Sequence, residues 1–202
     1  MHALLDIMRQ IEANNGSIAG VTLDARLVEA ARKTLAATDI DPAVQAYTLA
    51  FPSEVLLSQE LEVIDPSVVH AARNFARQEL AVQLEPELLA AYAANSAGSE
   101  SQYTFSQAEV GRRRLRNTCL GLLGAIPGNG AGGGGVNETA VARCLEQFRS
   151  AGNMTEQAAA LRCLVDCDHA ARATALSEFE SQHTEDSLVM DTWFSIQVRS
   201  IT

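Results

Sequence analysis

The sequence contains few aromatic residues, and this scarcity argues against a sheet protein. Aromatic side chains make up 5 % of the 202 residues, whereas apolar residues as a whole make up 47 %. Strands are usually rich in β-branched and aromatic residues, which are scarce here. Alanine and leucine dominate instead, and both are strong helix formers. We therefore expect helices, and no segment predicts a convincing strand.

Positive charge and long apolar runs are also scarce. The formal net charge is −10 at pH 7, which repels phosphate backbones and anionic lipid surfaces. No apolar run approaches the length of about 20 residues that a bilayer-spanning helix needs. Residues 1–10 lack the basic start and apolar centre of a secretory signal. We expect a soluble, unprocessed, cytoplasmic chain that binds neither nucleic acid nor membrane.

The spacing of apolar residues predicts a series of helices. Four of the five prolines lie at or near a predicted helix start, where the missing amide donor costs nothing. The predicted spans are Ala3 to Ala13, Leu23 to Ala37, Pro42 to Ala50, Pro52 to Glu60, Pro66 to Val82, Pro86 to Asn95 and Ser106 to Ile126. Four more are centred on Val141 to Phe148, Ala158 to Val165, Ala173 to Phe179 and Met190 to Phe194.

Short links between successive helices favour antiparallel neighbours, and a long run of them without a closing element favours a solenoid. The expected fold is all-α, with antiparallel helix pairs stacked as an α-α superhelix of the armadillo or HEAT type. Residues 1–202 would form a single helical-repeat domain. No strict repeat period is visible, as is typical of degenerate repeats. The glycine-rich stretch 127–135 predicts a flexible surface loop between two helices.

The motifs of common catalytic sites are incomplete. After the glycine-rich stretch come Val136, Asn137 and Glu138, where a phosphate-binding loop has Lys and then Ser or Thr. No Gly-x-Ser-x-Gly turn occurs. A hydrolytic zinc site needs two histidines one turn apart with a glutamate between them, and the four histidines are scattered: His2, His70, His169 and His183. The sequence therefore predicts no catalytic residue, cofactor-binding residue or metal ligand in this chain.

Cys163, Cys167 and His169 are the nearest approach to a ligand cluster, because residues four apart share a helix face. A second ligand pair at regular spacing is absent, so buried free thiols and a surface histidine are the favoured interpretation; Cys119 and Cys144 also fall on apolar stripes. Two acid pairs, Asp186 with Asp191 and Glu178 with Glu180, are available for acid-base chemistry. Solvated helix faces explain them better.

Four arginines within five residues stand out in this acidic chain: Arg112, Arg113, Arg114 and Arg116. A nucleic-acid patch would need more than one helical turn. We expect these arginines to bridge to acidic side chains on neighbouring helices or at a domain contact, using the bidentate geometry that arginine offers carboxylates. Asn137 and Asn153 match N-glycosylation acceptors and helix caps equally, and capping is the favoured interpretation.

Several segments, in order, resemble one known family, the zinc-dependent aminopeptidase N (alanyl aminopeptidase) group of gluzincin peptidases. The resemblance runs from about Leu23 to Ser200. Its segments are Asp41-Pro42-Ala43, Phe51-Pro52-Ser53-Glu54, Val63-Ile64-Asp65-Pro66, Gly111-Arg112-Arg113-Arg114-Leu115-Arg116-Asn117, Gln147-Phe148, Ala151-Gly152-Asn153-Met154-Thr155 and Leu188-Val189-Met190-Asp191-Thr192-Trp193-Phe194. They match the helical region that follows the catalytic domain in bacterial-type members.

The resemblance implies that this chain is a fragment of a larger enzyme. In the family, His-Glu-x-x-His and a later glutamate hold the zinc, and Gly-Ala-Met-Glu-Asn binds the substrate's amino end; neither segment occurs in residues 1–202. Zinc is thus implied for the parent and not for this chain. The implied partners are the remaining domains of the parent and, in the full enzyme, peptide substrates.

Three hypotheses remain open at this point. The chain is a non-catalytic helical domain that walls the active-site chamber of a metalloaminopeptidase, or a stand-alone helical scaffold that binds protein partners through a concave face. An independent hydrolase that uses an acid pair is the least favoured.

Overall fold

The computed structural model describes residues 1–96, 105–128 and 135–200. These ranges contain eleven α-helices: α1 (His2–Ala13), α2 (Ala25–Ala36), α3 (Pro42–Thr48), α4 (Glu54–Ser58), α5 (Pro66–Gln83), α6 (Glu85–Ala94), α7 (Gln107–Leu123), α8 (Glu138–Ser150), α9 (Met154–Val165), α10 (Ala171–His183) and α11 (Ser187–Val198). The β-type pairing in the described ranges is one isolated bridge between Gly128 and Gly135. The predicted all-α fold is confirmed.

Aspartates followed by proline start two of the helices as predicted. The Asp41 carboxylate accepts a hydrogen bond from the Ala43 amide at 2.7 Å, and Pro42 is the first residue of α3. The Asp65 carboxylate does the same for α5, accepting from the Ser67 amide at 2.9 Å. An acidic side chain at this position satisfies an amide that lacks a partner within the helix and also favours the positive end of the helix dipole.

The predicted helix over Pro52 to Glu60 is shorter in the structure. Helix α4 begins at Glu54 because the Ser53 hydroxyl, and not a group before Pro52, accepts the Leu56 amide, at 3.2 Å. Pro52 lies ahead of this cap, where its carbonyl accepts a hydrogen bond from the Arg73 guanidinium on α5 at 2.9 Å. Pro52 therefore connects α4 to α5 and does not open a helix.

Three apolar clusters follow one another along the chain. The first joins α1, α4 and the first half of α5 through buried residues such as Ile7, Leu57 and Val69. The second joins α2, α3, α5, α6 and α7, and the third joins α7 to α8 through α11. Helices α5 and α7 each contribute to two clusters, so they connect the successive layers. This serial arrangement is typical of a helical-repeat array, in which each unit contacts its neighbours.

Gly111 permits close packing between α3 and α7. A Cβ at this position would lie 3.1 Å from the Ala43 amide nitrogen and 3.3 Å from the Asp41 carboxylate. Both distances are tighter than ordinary van der Waals contact. The first residue of the arginine-rich segment is therefore a glycine because the start of α3 lies directly against it.

Most of the predicted glycine-rich loop, residues 129–134, lies outside the described residues, so its flexibility stays a prediction. Its two ends are described. The Gly128 amide donates to the Gly135 carbonyl at 2.6 Å, and a Cβ on Gly128 would collide with the Val136 carbonyl oxygen. The chain on either side of the loop is thus brought together at a point where only glycine fits.

The two longest helices contain charged residues among their apolar ones. Helix α5 spans 18 residues and α7 spans 17. Within the ranges that the structure describes, no helix has both the length and the apolar character that a membrane span requires.

Candidate functional site

A buried ion pair lies where α7 meets α9. The Arg116 guanidinium donates from Nη1 to the Glu156 carboxylate at 2.9 Å. Arg116 is 5 % exposed and Glu156 is fully buried. Asn153 donates from its side-chain amide to the second carboxylate oxygen of Glu156 at 2.7 Å, and its own carbonyl oxygen accepts the Glu156 amide at 3.0 Å. Asn153 therefore caps α9 through the Glu156 amide and also holds the Glu156 carboxylate in place.

Tyr92 and Gln147 extend this pair to α6 and α8. The Tyr92 hydroxyl donates to Gln147 Oε1 at 3.0 Å and accepts from Arg116 at 3.4 Å. The Gln147 side-chain amide donates to Asn117 Oδ1 at 2.9 Å and to the Glu156 backbone carbonyl at 3.0 Å. We call these residues the Arg116 network, namely Tyr92, Arg116, Asn117, Gln147, Asn153 and Glu156. It connects four helices through polar groups.

The network satisfies almost every polar group that it buries. Removing an arginine and a carboxylate from water costs several kcal/mol per ion, and the cost is offset only when geometry and hydrogen bonding are good. Within the described part of the chain, the Arg116 Nε is a buried side-chain nitrogen without a hydrogen-bond partner. Burial raises the pKa of the Tyr92 hydroxyl, which keeps it protonated and able to donate to Gln147. The arrangement is a packing device with its donors and acceptors directed at one another.

The four arginines of the sequence cluster have three different roles. Arg116 reaches an acid on a neighbouring helix, as predicted. Arg112 and Arg113 contact Glu109 of their own helix, at 3.0 Å and 3.5 Å. Arg112 also lies 3.9 Å from the Glu156 carboxylate on α9 and donates to the Asn95 carbonyl at the end of α6. Arg114 is exposed, with its guanidinium 3.5 Å from the centre of the Tyr47 ring, a cation–π contact. The cluster thus contacts the protein itself rather than forming a free basic patch.

The predicted bidentate geometry does not occur at Arg116. Its two terminal nitrogens divide between the Glu156 carboxylate and the Tyr92 hydroxyl. A fork of this kind is found elsewhere, where Arg149 donates to the two oxygens of Glu178 at 3.1 Å and 2.6 Å. That pair links α8 to α10, and the arginine holds the pKa of Glu178 below its ordinary value. Sequence reasoning missed it because the partners are 29 residues apart.

Cys163, Cys167 and His169 do not form a ligand cluster in the structure, in agreement with the favoured interpretation. The His169 Nδ1 accepts the Ala171 amide at 3.1 Å and so caps α10, while Nε2 lies 3.4 Å from the Glu138 carboxylate. Cys167 donates its thiol hydrogen to the Leu164 carbonyl at 3.0 Å. Over residues 1–96, 105–128 and 135–200, no three His, Cys, Asp or Glu side chains converge as a metal site would need. The described residues therefore do not fit the zinc that the resemblance implies for the parent.

The four cysteines are free thiols, as expected. Cys119 and Cys144 are buried, and burial raises the pKa of Cys119 to about 12. Cys163 and Cys167 are only partly buried, which the helical pattern did not indicate for Cys163. Cys144, Cys163 and Cys167 line one cavity of about 320 Å³ together with Arg77. Sequence spacing could not have placed Cys144 there, because it belongs to α8, whereas Cys163 lies near the end of α9 and Cys167 follows that helix.

The other candidate side chains have structural roles. His70 lies between Glu54, at 2.8 Å, and Asn74, at 2.8 Å, and so links α4 to α5. His183 stacks on Phe179 with ring centres 4.6 Å apart. Asp186 caps α11 through the Leu188 amide at 3.0 Å. Asp191 and Glu180 are exposed, as residues on solvated helix faces are.

Both asparagines of the glycosylation-like triplets are helix caps, as favoured. Asn137 Oδ1 accepts the Ala140 amide at 3.1 Å at the start of α8. Asn153 caps α9 and also contacts Glu156, as described above. Sequence reasoning identified the capping but missed Glu156 as the buried partner of Arg116. The Asn-x-x-Glu spacing was the sequence signal that could have identified Glu156, because it places the glutamate at the third helical position.

Replacing Glu156 by glutamine is predicted to destabilise the fold strongly. Glu156→Gln keeps the shape of the side chain but leaves the Arg116 charge buried without a counter-charge, which should lower the free energy of unfolding by about 3 kcal/mol or more. Urea denaturation followed by circular dichroism measures the change. Glu178→Gln is the matched control, because it removes the partly exposed pair with Arg149 and should change stability far less. Equal losses for the two variants would contradict the buried role.

Comparisons with known proteins match the chain to one segment of much longer proteins. It is 32 % identical to Aminopeptidase N of Escherichia coli (strain K12) over 182 residues, which is 89 % of this chain and 19 % of that relative. It is 32 % identical to Aminopeptidase N of Caulobacter vibrioides over 176 residues, 87 % of this chain and 19 % of that relative. The chain thus spans about a fifth of the length of these relatives.

A solved structure shares the fold. The crystal structure of Legionella pneumophila aminopeptidase A in complex with aspartic acid matches 97 % of this chain and 23 % of its own length, with a TM-score of 0.76 and 20 % sequence identity. At that identity the likeness shows the helical fold alone. The family described as "Domain of unknown function (DUF3458_C) ARM repeats" matches residues 2–201. The chain therefore belongs to this family of armadillo-type helical repeats, and it is homologous to a helical segment of bacterial aminopeptidase N.

Proposed function

We propose that this chain is a non-catalytic helical domain of a zinc-dependent metalloaminopeptidase, and that it forms part of the wall of the chamber in which the parent removes N-terminal residues from peptides. The observation that carries the proposal is the alignment with about a fifth of Aminopeptidase N from two bacteria, at 32 % identity. A relative of that length leaves ample polypeptide to supply the chemistry.

The positions that carry the family resemblance support a packing role. Arg116, Asn117, Gln147 and Asn153 belong to the resembling segments, and all four meet in the Arg116 network. Their polar atoms contact one another and Glu156. A reacting site keeps polar groups directed at an open pocket, where a substrate can reach them. Here the distinctive polar residues hold helices together instead.

An exposed apolar surface at α4 supports contact with the remaining domains of the parent. We define this α4 surface by Val55, Leu56, Val63 and Ile64, which are between 43 % and 84 % exposed. A groove of about 350 Å³ lies beside it, lined by Val55, Ile64 and Val69 among others. Contiguous apolar patches on a protein surface mark interaction sites. We propose that the α4 surface contacts the remaining domains of the parent polypeptide.

Helix α11 has a second exposed apolar face. Leu188, Phe194 and Val198 are 78 %, 56 % and 84 % exposed, while Trp193 on the opposite side donates to the Leu176 carbonyl of α10 at 3.0 Å. Exposed apolar residues on one helix are candidates for a contact, and the contact proposed for these three is with the remaining domains of the parent.

In this proposal, the catalytic chemistry and the control of substrate entry belong to different parts of the parent. A bound zinc supplies a water activated for attack on a peptide bond, and the residues proposed to hold it lie outside this chain. This chain contributes a rigid, acidic helical wall that limits which substrates reach the chamber, so selectivity arises from exclusion by size. We propose a cytoplasmic location for the parent.

The isolated chain is predicted to lack peptidase activity. It should release no 4-nitroaniline from alanyl-4-nitroanilide, because the described residues form no group of three potential metal ligands. After dialysis against zinc, metal analysis should find far less than one zinc ion per chain. The full-length parent, assayed in the same buffer, is the positive control. Turnover by the isolated chain in a metal-replete preparation free of contaminating peptidases would contradict the proposal.

A charge placed on the α4 surface is predicted to act only in the parent. Val63 is 84 % exposed in this chain, so Val63→Asp should leave the melting temperature of the isolated chain unchanged. In the parent the same change would bury an unpaired carboxylate against another domain and lower the melting temperature by several degrees.

The matched control for this comparison is Val82→Asp on α5. Val82 is 47 % exposed and lies away from both surfaces defined above, so it should have little effect in either protein. Differential scanning fluorimetry of six proteins measures these changes, with the unaltered sequence, Val63→Asp and Val82→Asp each prepared as the isolated chain and in the parent. If Val63→Asp has the same effect in the parent as in the isolated chain, the α4 surface does not contact the remaining domains, and a stand-alone scaffold becomes the better interpretation.

A further inference from the structure

Three of the chain's four cysteines line the cavity that lies between α5, α8, α9 and the turn after α7. Cys144 comes from α8, Cys163 from α9, and Cys167 from the turn that follows α9. The cavity has a volume of about 320 Å³, room for a molecule considerably larger than water. The fourth cysteine, Cys119, is fully buried in the second apolar cluster. The cavity is therefore lined by every cysteine of the chain except Cys119.

Cys144 and Cys163 lie near one another where α8 packs on α9. Both line the cavity, and Cys163 packs against the apolar cluster that contains Cys144. Cys144 is 3 % exposed, whereas Cys163 is partly exposed. The more exposed of the two residues thus has a second cysteine beside it in the same cavity. This is the arrangement in which an oxidised sulfur can be captured by its neighbour.

The surroundings favour Cys163 as the sulfur that loses its proton. The hydrogen bond from Cys144 lowers the pKa of Cys163, and the nearby charges of Arg77 and Arg162 act in the same direction, against burial and Asp166. The pKa of Cys144 is raised, first because its hydrogen is held by Cys163. Burial also raises the pKa of Cys167. Thiolates, not thiols, are the nucleophiles, so the three cysteines of the cavity are unequal.

We propose that Cys163 and Cys144 form a hydroperoxide-sensitive pair, in which Cys163 reacts with the peroxide and Cys144 then closes a disulfide between α8 and α9. The proposal is independent of the peptidase assignment, since it concerns residues with no role there. Its ligand class is a small hydroperoxide, with hydrogen peroxide as the simplest member.

The chemistry balances in two steps. The Cys163 thiolate attacks one oxygen of the peroxide, the O–O bond breaks, and the leaving oxygen takes up a proton as an alcohol or water; the sulfur is oxidised to a sulfenic acid. The Cys144 sulfur then attacks the Cys163 sulfur, the S–O bond breaks, and hydroxide leaves with the Cys144 proton as water. Two thiols and one hydroperoxide thus give one disulfide, one water and one alcohol or second water.

Peptide mapping of the full chain tests the proposal. The reduced chain is treated with a small excess of hydrogen peroxide, remaining thiols are alkylated, and the digest is analysed without reduction. The expected product is a single cross-link between the peptides that contain Cys144 and Cys163, with Cys119 alkylated only after denaturation. Dithiothreitol should reverse the cross-link. A predominant link from Cys163 to Cys167, or no link while Cys163 is oxidised, would overturn the pairing.

Single substitutions separate the roles. Cys144→Ser should leave a sulfenic acid on Cys163 that dimedone traps, and Cys163→Ser should abolish both the cross-link and dimedone labelling. Cys167→Ser and Cys119→Ser are matched controls, and both should form the cross-link to the same extent as the unaltered chain. Circular dichroism verifies folding; if Cys163→Ser misfolds, the mapping of the unaltered chain decides alone. Dimedone labelling that persists at the same level without Cys163 would overturn the proposal.

Discussion

The buried contact between Arg116 and Glu156 is the interaction on which the second half of the structure depends. Neither ion can be withdrawn from water at small cost, so each must find its partner before the helices around them can pack. Glu156 sits in the first turn of α9, and Arg116 sits in the middle of α7. Pairing them fixes how far α7 and α9 slide along one another, and Gln147 and Tyr92 then place α8 and α6 against the same point.

The need to pair Arg116 with Glu156 explains why the residues that carry the family resemblance include a set of polar ones. An apolar core tolerates rearrangement as long as its volume is kept, whereas the Arg116 network works only when each donor meets its acceptor. The segments that carry the family resemblance therefore contain arginine and glutamine at buried positions and asparagine at partly buried ones. Gly111 adds a steric requirement at the start of the same helix, where α3 lies against the backbone.

Much of the fold follows from local sequence signals, and much of the site does not. Asp41-Pro42 and Asp65-Pro66 start helices in the structure because cap and φ angle are properties of neighbouring residues. Helix α4 begins after Ser53 and not at Pro52, because the serine hydroxyl supplies the hydrogen bond that the start of the helix requires. The Glu156 partner of Arg116, the Arg149 contact with Glu178 and the meeting of Cys144 with Cys163 join residues distant in sequence. Only the packing of the helices brings these groups together.

The central claim is that the distinctive polar residues of this chain hold helices together while the reacting groups of the proposed parent lie elsewhere. The most direct measurement compares kcat/KM for alanyl-4-nitroanilide between the full-length parent and its Glu156→Gln variant, at a temperature where circular dichroism shows both folded. A structural role predicts kcat/KM within about twofold of the unaltered enzyme, with a lower melting temperature. A loss of about a hundredfold or more in kcat in the folded variant would contradict the account, because it would place Glu156 in the chemistry.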